Sequence, residues 1–381
     1  IYGSKPFFVT MCDLDGNQVY WEADVDPITR EPQWTEEDLA EIKENLADAD
    51  GLVLQNAKFD VRALWSLDKE FGDSWRWEIT HDTLIAGHLL ASNQPHDLTT
   101  MALVYLGINI QPLENQLKAA INEARRHVRS VYPLWNIGKA GADGMPSVKG
   151  SGSQCDYWLP RAVAQAEDYP SDHPWWNVLR DYSNADSAVT VRLFEVMKKK
   201  LQKEDLWEIY LERMKCIPVA FQMEQDGITV SGKRLEQQTV EYSQESQAAG
   251  ETCVKIAADL GHELELPKSG NNKSLLNFCF GPEGLKLPTV VETGTGNPSL
   301  SKAAMDEYLS SLDPESPGHN FLKNLRDKRK RDTALMYMEG YQRFWLPLDR
   351  KKNVDWYKLH PSLNPTGTDT LRWSDRKSTR L

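Results

Sequence analysis

The sequence predicts an α/β domain followed by a mostly helical region, and three patterns carry that expectation. Strand-like alternation opens the chain, a strand, loop and helix follow one another between residues 51 and 67, and helical periodicity dominates from Ser183 onward. In order, Pro6 to Cys12 and Gln18 to Val25 read as a hairpin about an Asp13-Leu-Asp-Gly16 turn. Thr35, followed by Glu37 and Asp38, reads as a helix N-terminus whose helix runs through Ala47. Gly51 to Leu54 is a short buried strand, and Asp60 to Leu67 the helix after it. Asp82 to Leu90 and Leu98 to Leu106 show helical spacing of apolar residues.

From about residue 111 to 181 the pattern degrades, with a glycine-rich run from Gly138 to Gly152 and a Trp175-Trp176 pair, so an insertion with long loops is expected. Helicity returns at Ser183, restarts near Glu204, continues to about Glu224, stops at Gly227 and resumes from Leu235 to Leu260. Residues 261 to 317 are rich in Gly, Pro, Ser and Asn, which suits short helices between loops. A dense basic cluster, Lys323, Arg326, Lys328, Arg329, Lys330 and Arg331, then falls on a helical segment.

The chain has 381 residues, 40% hydrophobic and 26% charged, which suits two or three globular domains and excludes a fibrous or wholly disordered protein. It has no uncharged apolar run long enough to span a membrane and no export signal, so a cytoplasmic protein without membrane partners is expected. Cys12, Cys155, Cys216, Cys253 and Cys279 are odd in number and widely spaced, which argues against a disulfide framework or a zinc site and for a reducing compartment. The net charge of -12 hides an asymmetry: residues 320 to 381 hold 15 basic and 7 acidic side chains, whereas residues 1 to 319 are strongly acidic. Nucleic acid is therefore not excluded, since steering depends on where charges lie.

Two motifs have chemical interest. Asn56-Ala-Lys-Phe-Asp60 follows a strand, and Tyr182-Ser-Asn-Ala-Asp186 sits near a helix start. With Leu52 to Gln55, Asp82-Thr-Leu84, His96-Asp-Leu98 and Leu106-Gly107, they resemble in sequence order the proofreading exonuclease of family A DNA polymerases. Phe221 to Val230 is similar to that family's segment joining exonuclease to thumb, and Leu359 to Ser374, with Thr-Gly-Thr-Asp-Thr-Leu-Arg-Trp-Ser, to the opening of its palm. The Trp-rich insertion and the form of that last block resemble bacteriophage members.

The resemblance implies a ribonuclease H-like 3'-5' exonuclease domain over residues 1–204 with an insertion at about 111–181, a helical linker and thumb region over 205–358, and a truncated start of the palm over 359–381. It implies two magnesium or manganese ions held by carboxylates, the hard oxygen ligands such ions select, for phosphodiester hydrolysis. On that basis Asp186 and Asp60 are metal ligands, and the Tyr182 hydroxyl orients the attacking water. Asn56 and Asp82 are possible supporting residues, with capping an equal claim. Arg372, Thr368 and Thr370 would contact primer-template DNA, and Arg326 and Lys330 its phosphates. Partners would be duplex and single-stranded 3' DNA, with dNTP only in a longer parent, and the chain is expected to be a monomer.

Two departures limit the expected activity. The family's first exonuclease motif, an Asp-x-Glu pair on the strand before the hairpin, is absent, and Asp13 and Asp15 read as turn residues instead. The palm aspartates and the fingers helix are absent too, so this chain is expected not to polymerise, to bind metal poorly and to cleave slowly or not at all. Leu371 stands where the family has Gly. The alternatives are a free-standing 3'-5' exonuclease and a catalytically dead DNA-binding remnant. Gly227 to Arg234 approaches a phosphate-binding loop, but Arg234 replaces the required Ser or Thr.

Overall fold

A computed structural model describes residues 5–135, 156–267, 270–294, 296–344, 346–348 and 355–375. The chain divides into two compact units, one formed by residues 1–225 with 362–376 and the other by 226–361 with 377–381.

The first unit opens with the expected hairpin, β1 (Phe8–Cys12) antiparallel to β2 (Gln18–Glu22). Its turn is closed by Asp13, whose carboxylate accepts from the Asn17 backbone at 2.8 Å and the Asn17 side chain at 2.7 Å, so Asp13 acts as a turn residue. A short pair, β3 (Asp24–Val25) and β4 (Pro32–Gln33), leads to α1 (Glu36–Asp48). Thr35 and Asp38 form a reciprocal capping box there, which satisfies amides that a helix start would otherwise leave open. β5 (Leu52–Leu54) is followed by α2 (Ala57–Leu67) and α3 (Lys69–Asp73), and returns in parallel register with β6 (Thr80–Asp82). This crossover is the α/β order read from the sequence.

α4 (Thr83–Leu90) and α5 (Leu98–Leu106) pack against α8 (Val178–Lys203). α8 also lies against β1, β2 and β5. A buried core of Ile85, Leu193, Met197, Tyr210 and Ile217 joins α4 and α8 to α9 (Trp207–Asp226). That core puts residues 205–225, expected with the thumb region, in the first unit.

The insertion departs from the loop-rich expectation over much of its length. Residues 111–131 form a 21-residue helix, α6 (Gln111–Val131), whose buried Leu117, Ala120, Ile121, Ala124 and Val128 make one apolar stripe. α7 (Leu159–Ala166) covers that stripe through Leu159 and Val163. Pro112 is compatible with this helix because its missing N–H falls in the first turn. Most of the Gly138 to Gly152 run lies outside the described residues.

In the second unit β7 (Ile228–Ser231) leads into α10 (Gly232–Asp259), followed by α11 (Lys273–Phe280), α12 (Lys302–Ser311) and α13 (Pro317–Phe344). α10 and α13 run antiparallel. Thr239 meets Met338, Ser246 donates to Asp332 at 2.5 Å, and Cys253 meets the Phe321 carbonyl, a series in which one number rises as the other falls. β7 pairs with β9 (Trp356–Leu359), which also pairs with β8 (Leu346–Pro347). Cys253 and Cys279 are buried in a core with Leu275, Phe278, Tyr308 and Phe321, and burial pushes both thiols up to about 12. Cys216 is exposed in the first unit.

Candidate functional site

The turn from β5 into α2 needs a left-handed residue, and Asn56 supplies it at φ 69° without capping the helix through its side chain. Asp82 does the capping instead. Its carboxylate accepts from the backbone N–H of Leu84, Asn56 and Ala57, each at 2.9 Å, and so ties the starts of α4 and α2 together. Asp82 is thus a buried structural carboxylate, the capping alternative left open by the sequence.

Asp60 lies one turn into α2. Burial, reinforced by the negative charge of Asp82, pushes its carboxyl up to about 8, so at neutral pH it is mostly a neutral acid.

On α8, Tyr182 and Asp186 are one helical turn apart and their side chains are hydrogen-bonded. Burial pushes Asp186 up to about 6; the bond from Tyr182 opposes the shift and Glu114 adds to it. Its Oδ1 is buried without a hydrogen-bond partner. Burial, with the charge of Asp186 behind it, also drives the Tyr182 phenol far up, so it stays a donor. Asp60 therefore interacts with Asp82, and Asp186 with Tyr182 and Glu114. Among the described residues no three of His, Cys, Asp or Glu gather into a group able to hold a metal ion.

The segment after residue 362 adds β10 (Leu363–Asn364), antiparallel to β11 (Ser374–Asp375). Arg213 of α9 donates to the Pro365 carbonyl at 3.0 Å and the Leu371 carbonyl at 3.2 Å. Leu371 adopts φ 62°, in the left-handed region that favours glycine. The Thr368 hydroxyl donates to the Arg372 carbonyl at 3.0 Å, accepts from the Arg372 N–H at 3.0 Å and meets the Thr370 hydroxyl at 3.3 Å. Thr368 thereby shapes the loop that presents the exposed Arg372.

Lys58, Arg62, Glu224 and Arg213 did not stand out in the sequence. Glu224, only 1% exposed, pairs with the ammonium of Lys58 at 2.6 Å and with the guanidinium of Arg62, and accepts from the Leu363 N–H at 2.6 Å. Lys58 also donates to the Leu363 carbonyl and lies 5.7 Å from the Trp373 ring centre. The local signal was the i, i+4 pair of cations, Lys58 and Arg62, on either side of Asp60; nothing local pointed to Glu224 as their partner.

In the second unit the basic cluster divides by role. Arg329 is structural, donating to the Leu300 and Gly270 carbonyls at 2.9 Å each and to Asn271 at 2.7 Å. Lys328 pairs with Asp332 at 2.5 Å, and Arg331 pairs with Glu245 above the Tyr242 ring. Arg326 keeps a loose 3.5 Å pair with Asp306, while Lys323 and Lys330 are exposed. A groove of about 660 Å³ between α10 and α13 is lined by Ser246, Gly250, Lys255 and Lys328 and is not lined by the candidate carboxylates.

No family model matches the chain. It is 24% identical over 196 residues to the DNA polymerase DpoZ of Acinetobacter phage SH-Ab 15497, covering 50% of this chain and 28% of that protein. It is 23% identical over 266 residues to DNA polymerase I of Pseudomonas aeruginosa, covering 69% of this chain and 23% of that protein. Each alignment thus spans less than a third of its relative. The fold is similar to the polymerase domain of Pol1 from M. smegmatis, solved in complex with DNA primer-template and dNTP, with a TM-score of 0.60 and 17% identity over 98% of this chain and 48% of that one. The two sequence relatives and the shared fold point the same way: this chain is similar in sequence to parts of a phage DNA polymerase and a bacterial DNA polymerase I, and in fold to a Pol1 polymerase domain.

Proposed function

We propose that the chain is part of a DNA-directed DNA polymerase whose first unit carries a 3'-5' proofreading exonuclease site of ribonuclease H-like type. The observation that carries the reading is the state of Asp186: a buried carboxyl with an orphaned Oδ1, pushed up to about 6, one turn from a phenol bonded to it. Burying an acid without a cation is unfavourable, and a divalent ion is the partner that would reverse the shift. Asp60, pushed up to about 8 by burial and by the charge of Asp82, is a second carboxyl whose ionised form is disfavoured.

The donor chemistry suits magnesium or manganese, but the set is incomplete. Asp82 is committed to three backbone amides, and the described residues gather no group of three ligands. We therefore derive no hydrolytic step through metal ions for this chain. What its own residues supply is a hydrogen-bond donor at Tyr182, two half-buried acids and an exposed Arg372 for phosphate or base contact. β1 pairs with β2 alone and β5 with β6 alone among the described residues, although α8 lies against both β1 and β5.

Hydrolysis of single-stranded DNA with magnesium or manganese, measured for the chain and for Asp186→Ala, tests the reading. A residual activity abolished by Asp186→Ala supports it, and equal nonzero rates remove Asp186 from the chemistry. Primer-template binding without hydrolysis is the signature of the binding-remnant alternative, which the incomplete ligand set favours for the chain taken alone. The free-standing exonuclease is less well supported, because the structural similarity runs over 98% of this chain, the second unit included.

A further inference from the structure

The first turns of α2 display Asp60 between two cations that both reach the same acid, Glu224 of α9. That acid also accepts from the Leu363 N–H, and Lys58 returns a bond to the Leu363 carbonyl. Residue 363 begins the segment that Arg213 grips at Pro365 and Leu371 and that ends in Trp373, which lies against Lys58 and packs on the α4, α8 and α9 core. Every member of this chain of contacts belongs to the first unit.

We propose that Glu224 is a positioning residue that locks the α2 turn bearing Asp60 to the segment 363–373, so that DNA engaged by the loop around Arg372 fixes the position of Asp60. A surface ion pair would not do this, because exposed pairs exchange freely with water. Here Lys58 is 7% and Glu224 1% exposed, and a buried cluster keeps one arrangement because each alternative leaves a charge without its partner. Two backbone bonds at one residue, Leu363, add directionality, since displacement of the strand breaks both together. The transmitting element is thus a contiguous set of polar contacts, and the coupling rests on the proposed DNA-engaging and exonuclease roles of its two ends.

The test is amide hydrogen exchange of the full chain, free and with a primer-template duplex oligonucleotide. In the wild type, duplex should slow exchange at residues 368–372 and also at 57–62. Glu224→Gln should keep the first effect and lose the second, Glu224→Asp should restore much of it, and Lys58→Met covers the case in which Glu224→Gln fails to fold. Unchanged exchange in α8 reports that the core is intact. Protection of residues 57–62 that persists in both Glu224→Gln and Lys58→Met overturns the lock, as does wild-type protection confined to 368–372. If duplex protects neither segment, the DNA-engaging reading fails, and the lock is judged without DNA. Trp373→Ala should then speed exchange at residues 57–62 by about tenfold, the scale of a modest loss of local stability, and no change would overturn the lock.

Discussion

At the scale of single residues, the acids of the first unit are in tension with their surroundings. Asp60 has a folded value of about 8 against an ordinary 3.8. Between those values the folded chain binds the proton more tightly than the unfolded one, so this group lowers stability as pH rises from about 4 to about 8 and adds no further change above that. Asp60→Asn should raise stability by about 1–3 kcal/mol at pH 8 and change little at pH 4, read from urea unfolding at the two pH values. A magnesium-dependent recovery of the wild type at pH 8, absent in the variant, would add evidence for the ligand role. Leu371 makes a second residue-scale case. A branched side chain at φ 62° stores strain that glycine does not, so Leu371→Gly should stabilise the chain by about 1 kcal/mol in the same assay. Neither effect follows from sequence alone. The Asn56 to Asp60 spacing marks the motif, but the proton held by Asp60 depends on its burial in the folded chain and then on Asp82, 22 residues on.

At the scale of elements, legibility followed the locality of the signal. Thr35 with Asp38, and Leu98 to Leu106 ending at Gly107 with φ 70°, were readable because a cap and an apolar stripe lie within one short window. α6 was hidden because its stripe lies among many polar residues and beside a glycine-rich run, which lowers the average without changing the period. The basic run on α13 misled in another way. Composition could not say that Arg329 turns inward to three acceptors while Lys330 stays in solvent. Arg329→Ala should cost the second unit about 1–2 kcal/mol of stability by leaving the carbonyl of buried Leu300 without its partner. Lys330→Ala should leave the melting temperature unchanged and, if α13 meets DNA, reduce the salt dependence of duplex binding by about one unit of slope.

At the scale of the whole molecule, the acidic body and basic tail describe the amino-acid order better than they describe the units. Segment 362–376, part of the basic tail, belongs with the first unit. Elsewhere in the tail Lys328, Arg329 and Arg331 are consumed by internal structure, so under the proposed function duplex binding should fall with salt at a slope well below the 15 positive charges of residues 320–381, which a titration between 50 and 200 mM salt would measure. Long-range features such as Glu224 reaching Lys58 were illegible, since nothing local links positions 166 apart in the chain.

The cysteines of the second unit have a practical consequence. Thiolate is the reactive form, and with both Cys253 and Cys279 held near 12 inside an apolar core, neither should react with a maleimide while that unit is intact. Exposed Cys216, in the other unit, should label at once. The delay between the two reactions would then act as a clock built into the chain, timing how often the helices around Phe278 and Phe321 come apart.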